Sequence, residues 1–303
     1  MSTITPILHT IGSKGSGTGH SFYSGFNSCP TNAALYNTDE RNFLDEKSGM
    51  GLGTIGHAFL ELHWKGKLKT APTVAVEFSQ LVDEENRVNA ERCFTYFRQT
   101  LSEDDALGTI VGVEPLYPED EQDAAILQGL FGVPFTFKPD LVTDLGVKQL
   151  ARLRKKNVKW YGQLGILKPG RWLWDYKHFG RRESNLLDKA LGSTQYASYI
   201  EAYNALHPKK PCLGMIQITI FTTKETEIWM TVIPPPTPAL WGATQIVVRR
   251  GHRLSQVRPL EVVPTESNCF SYGGICRWLK EGLCDRSGVT HAGLNQLKKG
   301  GFV

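Results

Sequence analysis

Phe135-Thr-Phe-Lys-Pro-Asp140-Leu-Val-Thr143 and Arg171-Trp-Leu-Trp-Asp175-Tyr-Lys177-His-Phe179 bracket the stretch on which the reading of this chain turns. Both runs are rich in aromatic and β-branched residues and are punctuated by glycine or proline, which predicts two strands. In the second run a period of two puts Trp172 and Trp174 on one face and Leu173, Asp175 and Lys177 on the other. The tryptophans belong in a core. The opposite face then carries an acid and an amine, with a second acid, Asp140, on the neighbouring strand.

Between the two runs, residues 146–170 form an insertion with Lys148, Arg152, Arg154, Lys155, Lys156, Lys159 and Lys168 and no acid. Seven basic residues in 25 positions, beside Trp160 and Tyr161, suit a surface that follows a nucleic-acid backbone and stacks bases. A solvated loop or helix is the plain alternative. Upstream, Thr109 to Tyr117 reads as a strand with Glu114 near its end, and Pro118 to Leu130 as a short helix with an acidic start. A helix starting near Thr54 carries His57 and Glu61 one turn apart, with Glu61 and His63 expected on its solvated side. Residues 76–103 read as a longer amphipathic helix with Phe78, Leu81, Val82, Val88, Cys93 and Phe97 inward. Residues 11–19 resemble a phosphate loop but lack its Gly-Lys-Ser/Thr ending, so a flexible surface segment over 1–20 is expected.

Downstream, Asn185 to Leu206 reads as one helix with Gln195 and Tyr199 a turn apart. Two strands follow, from Met215 and from Glu227, then the Pro234–Pro238 stop and a helix over about 240–257. The expected organisation is one α/β domain over 21–290, a cysteine-bearing region at 265–290 and a tail at 291–303, with no internal repeat.

Composition narrows the class. A chain of 303 residues with 41% apolar and 21% charged residues is ordinary for a globular protein. Its net charge is only +4, so local charge must carry any argument about an anionic partner. The N-terminus lacks the pattern of a signal peptide, and no run of about 18 apolar residues predicts a membrane span. Six cysteines without a secretory signal point to a reducing compartment, hence the cytoplasm, with thiols acting as ligands or core residues.

Phosphodiester hydrolysis needs a hard cation held by oxygens and a positive group near the attacking water or the developing charge. Asp140 and Asp175 are candidate metal ligands, Glu114 a helper or a mere strand-end carboxylate, and His57 a nitrogen ligand or a helix-surface histidine. Lys177 is the candidate to act on water or phosphate. Gln195 and Tyr199 either contact substrate or pack the helix. In order and context, His57 within Gly-His-Ala-Phe-Leu-Glu, Pro139-Asp140, Asp175-Tyr-Lys177 and Gln195-X-X-X-Tyr199 resemble the PD-(D/E)XK nuclease superfamily. More narrowly they resemble its RecB-like branch, with the AddB nuclease and the exonucleases of CRISPR adaptation. The insertion between the two acid motifs is longer than is usual there.

That resemblance implies a restriction-endonuclease-like core, a central mixed sheet flanked by helices. It implies a Mg²⁺- or Mn²⁺-dependent exonuclease acting on single- or double-stranded DNA in recombination, repair or phage DNA processing, in a bacterial or phage-infected cytoplasm. His57, Asp140, Asp175 and Lys177 would form the metal site, and Gln195 and Tyr199, with Lys155, Lys156 and Lys159 of the insertion, would contact DNA. It further implies a 4Fe–4S cluster on Cys29, Cys269, Cys276 and Cys284, joining the N- and C-terminal segments. Zinc or buried thiols remain open for these four, and Cys93 and Cys212 read as small core residues. The rival readings are an inactive nucleic-acid-binding or scaffold protein on the same fold, and an iron–sulfur redox protein.

Overall fold

The structure is a computed structural model that describes residues 18–29, 84–102, 106–179, 185–222 and 226–256, with isolated positions that include His57, Trp64 and Cys284. In chain order the elements are α1 (His20–Ser28), α2 (Glu84–Phe97), β1 (Thr109–Val113), α3 (Glu121–Phe131), β2 (Leu141–Leu145) and α4 (Val147–Leu153). After them come β3 (Lys159–Gly162), β4 (Gly170–Phe179), α5 (Leu186–Leu191), α6 (Thr194–Leu206), β5 (Cys212–Thr222), β6 (Thr226–Ile233) and α7 (Pro238–Gln256). The described residues fall into two compact units. One is drawn from Asn42–Tyr117 and Lys138–Thr237, the other from Lys14–Arg41, Pro118–Phe137 and Pro238–Val303.

The first unit is built on a six-stranded mixed sheet in the order β1-β2-β4-β5-β6-β3. The two predicted central strands are antiparallel neighbours, with Leu141 opposite Trp174 and Thr143 opposite Trp172. The basic insertion does not part them. It makes α4 and then β3, which pairs in parallel with β6 at the far edge. The first strand begins at Leu141 rather than Phe135, because Pro139 has no amide proton for a ladder.

One face of the sheet is apolar, as the alternation of β4 predicts. Trp172, Trp174, Tyr176, Ile216, Ile218, Met230 and Val232 are buried there in one cluster with Phe94 and Phe97 of α2. Full burial of side chains this size stabilises by roughly 2–3 kcal/mol each. Both indoles keep their donors satisfied: Trp174 Nε1 donates to Thr143 Oγ1 at 2.8 Å and Trp172 Nε1 to the Lys168 carbonyl at 3.1 Å. The other face buries polar side chains instead, among them Asp175, Gln217, Thr219 and Thr231.

Three sequence expectations need correction. The helix read over 76–103 is described from Glu84 and ends at Phe97, followed by a π-helical turn over Arg98–Ser102, and Val88 is 45% exposed rather than inward. Residues 76–83 lie outside the described residues, as do Glu61 and the 11–17 part of the glycine-rich segment. The helix read from Asn185 to Leu206 is two helices. Gly192 and Ser193 break it, and Ser193 Oγ starts α6 by accepting from the Tyr196 amide at 3.3 Å. His63 is not on a solvated face, since its ring packs edge-on against Trp64 and Phe94.

In the second unit, α1 packs against α7, and α3 against α7. Asp120 caps α3 by accepting from the Asp123 amide, and Gly132 closes it at φ 74°. Asn27 Nδ2 donates to the Val247 carbonyl at 2.6 Å, and Arg249 Nε to the Phe131 carbonyl at 2.7 Å. Cys29 and Cys284 are both buried in this unit, while Cys269 and Cys276 lie outside the described residues. No helix among the described residues is long and apolar enough to cross a membrane.

Candidate active site

The site lies where β1 ends and β2 begins, against the middle of β4. Asp140 immediately precedes β2, and its amide donates to the Trp174 carbonyl at 3.2 Å, which sets it beside Asp175 on the adjoining strand. Glu114 ends β1 in the left-handed region, at φ 46°, with its amide donating to the Asp140 carbonyl at 2.9 Å. A non-glycine residue there carries backbone strain of about 1–3 kcal/mol, held by the rest of the structure. The effect is to turn the Glu114 carboxylate inward, where it is 10% exposed and in contact with the Lys138 ammonium.

His57 Nδ1 stands 3.4 Å from Asp140 Oδ1, and Asp140 Oδ2 accepts from the Tyr176 amide at 2.6 Å. Ligand atoms of His57, Glu114 and Asp140 all lie within 4.8 Å of one another. Oxygen and nitrogen donors bound at 2.0–2.6 Å to one ion stand no farther apart than roughly 5 Å, so this trio has the spacing of a shared cation. The two carboxylates are donors of the kind that hold hard cations such as Mg²⁺ or Mn²⁺, while an imidazole is the kind that holds transition metals.

Asp175 is outside that trio. Its Oδ1 accepts from Lys177 Nζ at 3.0 Å and its Oδ2 from the Tyr196 hydroxyl at 2.7 Å. The same hydroxyl lies 3.0 Å from Gln217 Oε1, and its single proton goes by preference to the charged oxygen. Gln217 in turn donates to Thr219 Oγ1 at 2.8 Å. Gln195 Nε2 donates to the Tyr199 hydroxyl at 3.2 Å, on the same helix as Tyr196.

The two acids are pushed in opposite directions. Burial would raise the Asp140 pKa, but the charge and hydrogen bond of His57, then Lys177 and the Tyr176 amide, bring it below its ordinary value. Burial raises that of Asp175, and the charge of Asp140 adds to it, against the pull of Lys177 and Tyr196. Burial works to lower His57 and Lys177. For His57 the Asp140 carboxylate outweighs it, and for Lys177 the Asp175 and Asp140 carboxylates do, so both end above their ordinary values. Carboxylates pushed apart in this way beside a lysine are a pattern found at functional sites and in structural ion-pair networks alike.

Of the residues singled out in the sequence, His57, Glu114, Asp140, Asp175 and Lys177 come together, and the electrostatic influence of Asp175, Asp140 and Lys177 reaches Tyr199. Lys155 and Lys156 follow the end of α4. Lys159 is not brought to the acids: it sits on the far edge strand, paired with Glu227 at 3.1 Å. Tyr196, Gln217 and Lys138 were missed. Gln217 and Thr219 did have a signal, two polar residues at period two inside the apolar run of β5.

No family model matches the chain, and no curated protein matches it. Among solved structures it is similar to the crystal structure of a putative exonuclease from Eubacterium rectale, with a TM-score of 0.52 and 13% identity. The match covers 91% of this chain and 92% of that one. At this identity the likeness shows a common fold, a mixed sheet flanked by helices, shared over nearly the full length of both chains.

Proposed function

We propose that the chain is a metal-dependent deoxyribonuclease, an exonuclease of the RecB-like PD-(D/E)XK kind. One observation carries the reading: His57, Glu114 and Asp140 gather within coordination reach, beside Asp175 and Lys177 on the adjoining strand. The similarity to a putative exonuclease supports it at the level of fold. His57, Glu114 and Asp140 would hold Mg²⁺ or Mn²⁺, with Asp175 next to them. A cation there supplies Lewis acidity toward the phosphate and lowers the pKa of a bound water.

The chain's own groups do the rest. Lys177, kept charged by Asp175, positions the attacking water or faces the scissile phosphate. Tyr196 fixes Asp175 and, through it, Lys177. Water oxygen adds to phosphorus as the ester P–O bond breaks; the attacking water gives up a proton to solvent, and the leaving oxygen takes one up from solvent, so the proton count is unchanged. Gln195 and Tyr199 contact the strand, and Lys155 and Lys156 of the insertion attract it. DNA is the proposed partner, within a recombination, repair or phage DNA-processing assembly in the cytoplasm.

A second reading has its own support. Lys138 already neutralises Glu114 from within the chain, as in a binding or scaffold protein that has lost turnover. End-labelled DNA incubated with Mn²⁺, with and without chelator, separates the two. Cleavage abolished by chelator and by Asp175→Ala is expected, and binding without any cleavage would leave the scaffold.

A 4Fe–4S cluster on Cys29, Cys269, Cys276 and Cys284 is proposed as a structural group. Its support is that Cys29 and Cys284 are buried in the same unit. Four thiolates would satisfy such a cluster. Anaerobically purified protein should be brown and contain about four irons per chain. Zinc, or no metal, in the same sample would replace the cluster by the alternatives.

A further inference from the structure

Two residues before Asp140 the chain carries a cation that no step of the proposed hydrolysis uses. Lys138 lies between the buried residues Phe137 and Pro139, so its backbone is held while its side chain, 44% exposed, turns outward. Its ammonium nevertheless reaches Glu114, one of the three residues with the spacing of a shared cation, and donates to Oε2 of that carboxylate.

Glu114 does not need Lys138 for its placement. Its backbone is set by the left-handed turn at φ 46° and by the amide's bond to the Asp140 carbonyl at 2.9 Å. What the ammonium adds is charge. Ligand oxygens of Glu114 and Asp140 lie within 4.8 Å of each other, and two like charges so close and so little exposed repel unless a cation offsets them. Each acid has its own basic side chain: Asp140 has His57 at 3.4 Å, and Glu114 has Lys138. The two bases differ in what they do when a divalent ion arrives. An imidazole nitrogen has a lone pair and can join the ion as a ligand. An ammonium has donors only, so all it can do is hold the carboxylate against the ion. Its flexible, part-exposed stem lets it give way by swinging the charge into water. Lys177 is placed otherwise, since its Nζ donates to Asp175, outside the trio.

We infer that Lys138 is an exchangeable internal cation, which neutralises Glu114 until a divalent ion binds there and displaces it. Lys138 acts through Glu114 rather than on substrate. The inference rests on the metal-dependent nuclease reading, and it deepens it by making metal occupancy the outcome of a competition within the chain. A permanent Lys138–Glu114 pair, which suits the scaffold reading, is the opposite outcome.

The test is Mn²⁺ binding without DNA, followed by the electron paramagnetic resonance of the unbound ion. Lys138→Met keeps an unbranched stem and removes the charge. Its Mn²⁺ dissociation constant should be about 2- to 5-fold below that of wild type, the range expected when one part-exposed ion pair stops competing. Lys138→Arg keeps the charge and should stay near wild type. In thermal melts Mn²⁺ should stabilise Lys138→Met more than wild type, because the tighter site gains more from the same ion concentration. In Mn²⁺-bound crystals of wild type, which need no variant to fold, Lys138 Nζ should stand more than about 4 Å from both Glu114 oxygens. The inference is overturned if Lys138→Met folds and binds Mn²⁺ no more tightly than wild type, or if Lys138 still holds Glu114 in the Mn²⁺-bound crystals. It is overturned too if wild type takes up no Mn²⁺. Chelator-sensitive cleavage by a wild type whose Lys138 keeps its place retains the nuclease and removes the exchange. Displacement of Lys138 by Mn²⁺ with no cleavage retains the exchange and removes the nuclease.

Discussion

Asp175 has each carboxylate oxygen engaged by a different donor, and that makes Tyr196 more than a helix-packing residue. Tyr196→Phe deletes the hydroxyl and leaves a buried carboxylate oxygen with one partner fewer. Loss of a hydrogen bond to a buried charged group costs about 1–3 kcal/mol, so urea unfolding should shift by that amount and cleavage should fall as Lys177 loses its fixed partner. Asp175→Asn separates chemistry from stability. It removes the charge that orients Lys177, so turnover should drop by about 100-fold or more if Lys177 acts on water or phosphate. Unfolding should move little, because Lys177 is 33% exposed and its ammonium can turn to water. A variant that unfolds easily but still cleaves would reverse these roles. Asp140, Asp175 and Lys177 could be placed together from the sequence because residue type and strand period put two acids and an amine on one sheet, whereas His57 joined them only through the family resemblance. Tyr196 was not legible. It lies next to Gln195 on α6, and sequence alone does not say which side of that helix meets the strand.

Helices and strands were legible in kind and less so in extent. Pro139 moved the start of β2, and Gly192 with Ser193 cut one apolar run into two helices. Tertiary pairing decided the rest: Lys159–Gly162 reads as part of a basic excursion until β6 offers it an edge. In the second unit the close approach of α1 and α7 depends on Gly251, where a Cβ would stand 2.2 Å from the Tyr23 carbonyl oxygen. Gly251→Ala gains about 1 kcal/mol of helix propensity but forces backbone apart, at a cost of about 1–3 kcal/mol. The clash is with backbone, which cannot swing aside, so net destabilisation in a thermal melt is expected. The start of α1 adds a pH dependence. Burial lowers the His20 pKa from 6.5 to about 4. Between these values the unfolded chain holds a proton that the folded chain does not. Stability is therefore complete above pH 6.5 and falls as pH drops, approaching a loss of about 3 kcal/mol below pH 4. His20→Phe should flatten the pH 7 to pH 4 stability difference by about that amount, and an unchanged difference would clear His20 of the effect.

At the scale of the whole molecule, a net charge of +4 is too small to attract DNA by itself, and distribution decides. The 146–170 segment concentrates positive charge, yet its lysines are not equivalent once folded. Lys159 is matched by Glu227, so neutralising it removes a cation and uncovers an anion. Lys155 and Lys156 follow α4 in a segment that carries no acid of its own. Binding of single-stranded DNA releases counterions in proportion to the phosphates neutralised, with a slope of about −0.7 in log K against log salt for each. If Lys155 and Lys156 each meet one phosphate, Lys155→Ala with Lys156→Ala should make the slope about 1.4 less negative and weaken binding most at low salt. Lys159→Ala alone should alter the slope by less than either, because the Glu227 carboxylate it exposes repels the same backbone. Titrations of oligo-dT between about 50 and 200 mM salt resolve these differences. A double variant with the wild-type slope would remove the insertion from the strand's path, whatever its effect on the fold, since structural damage lowers affinity at every salt concentration without changing how many phosphates are met.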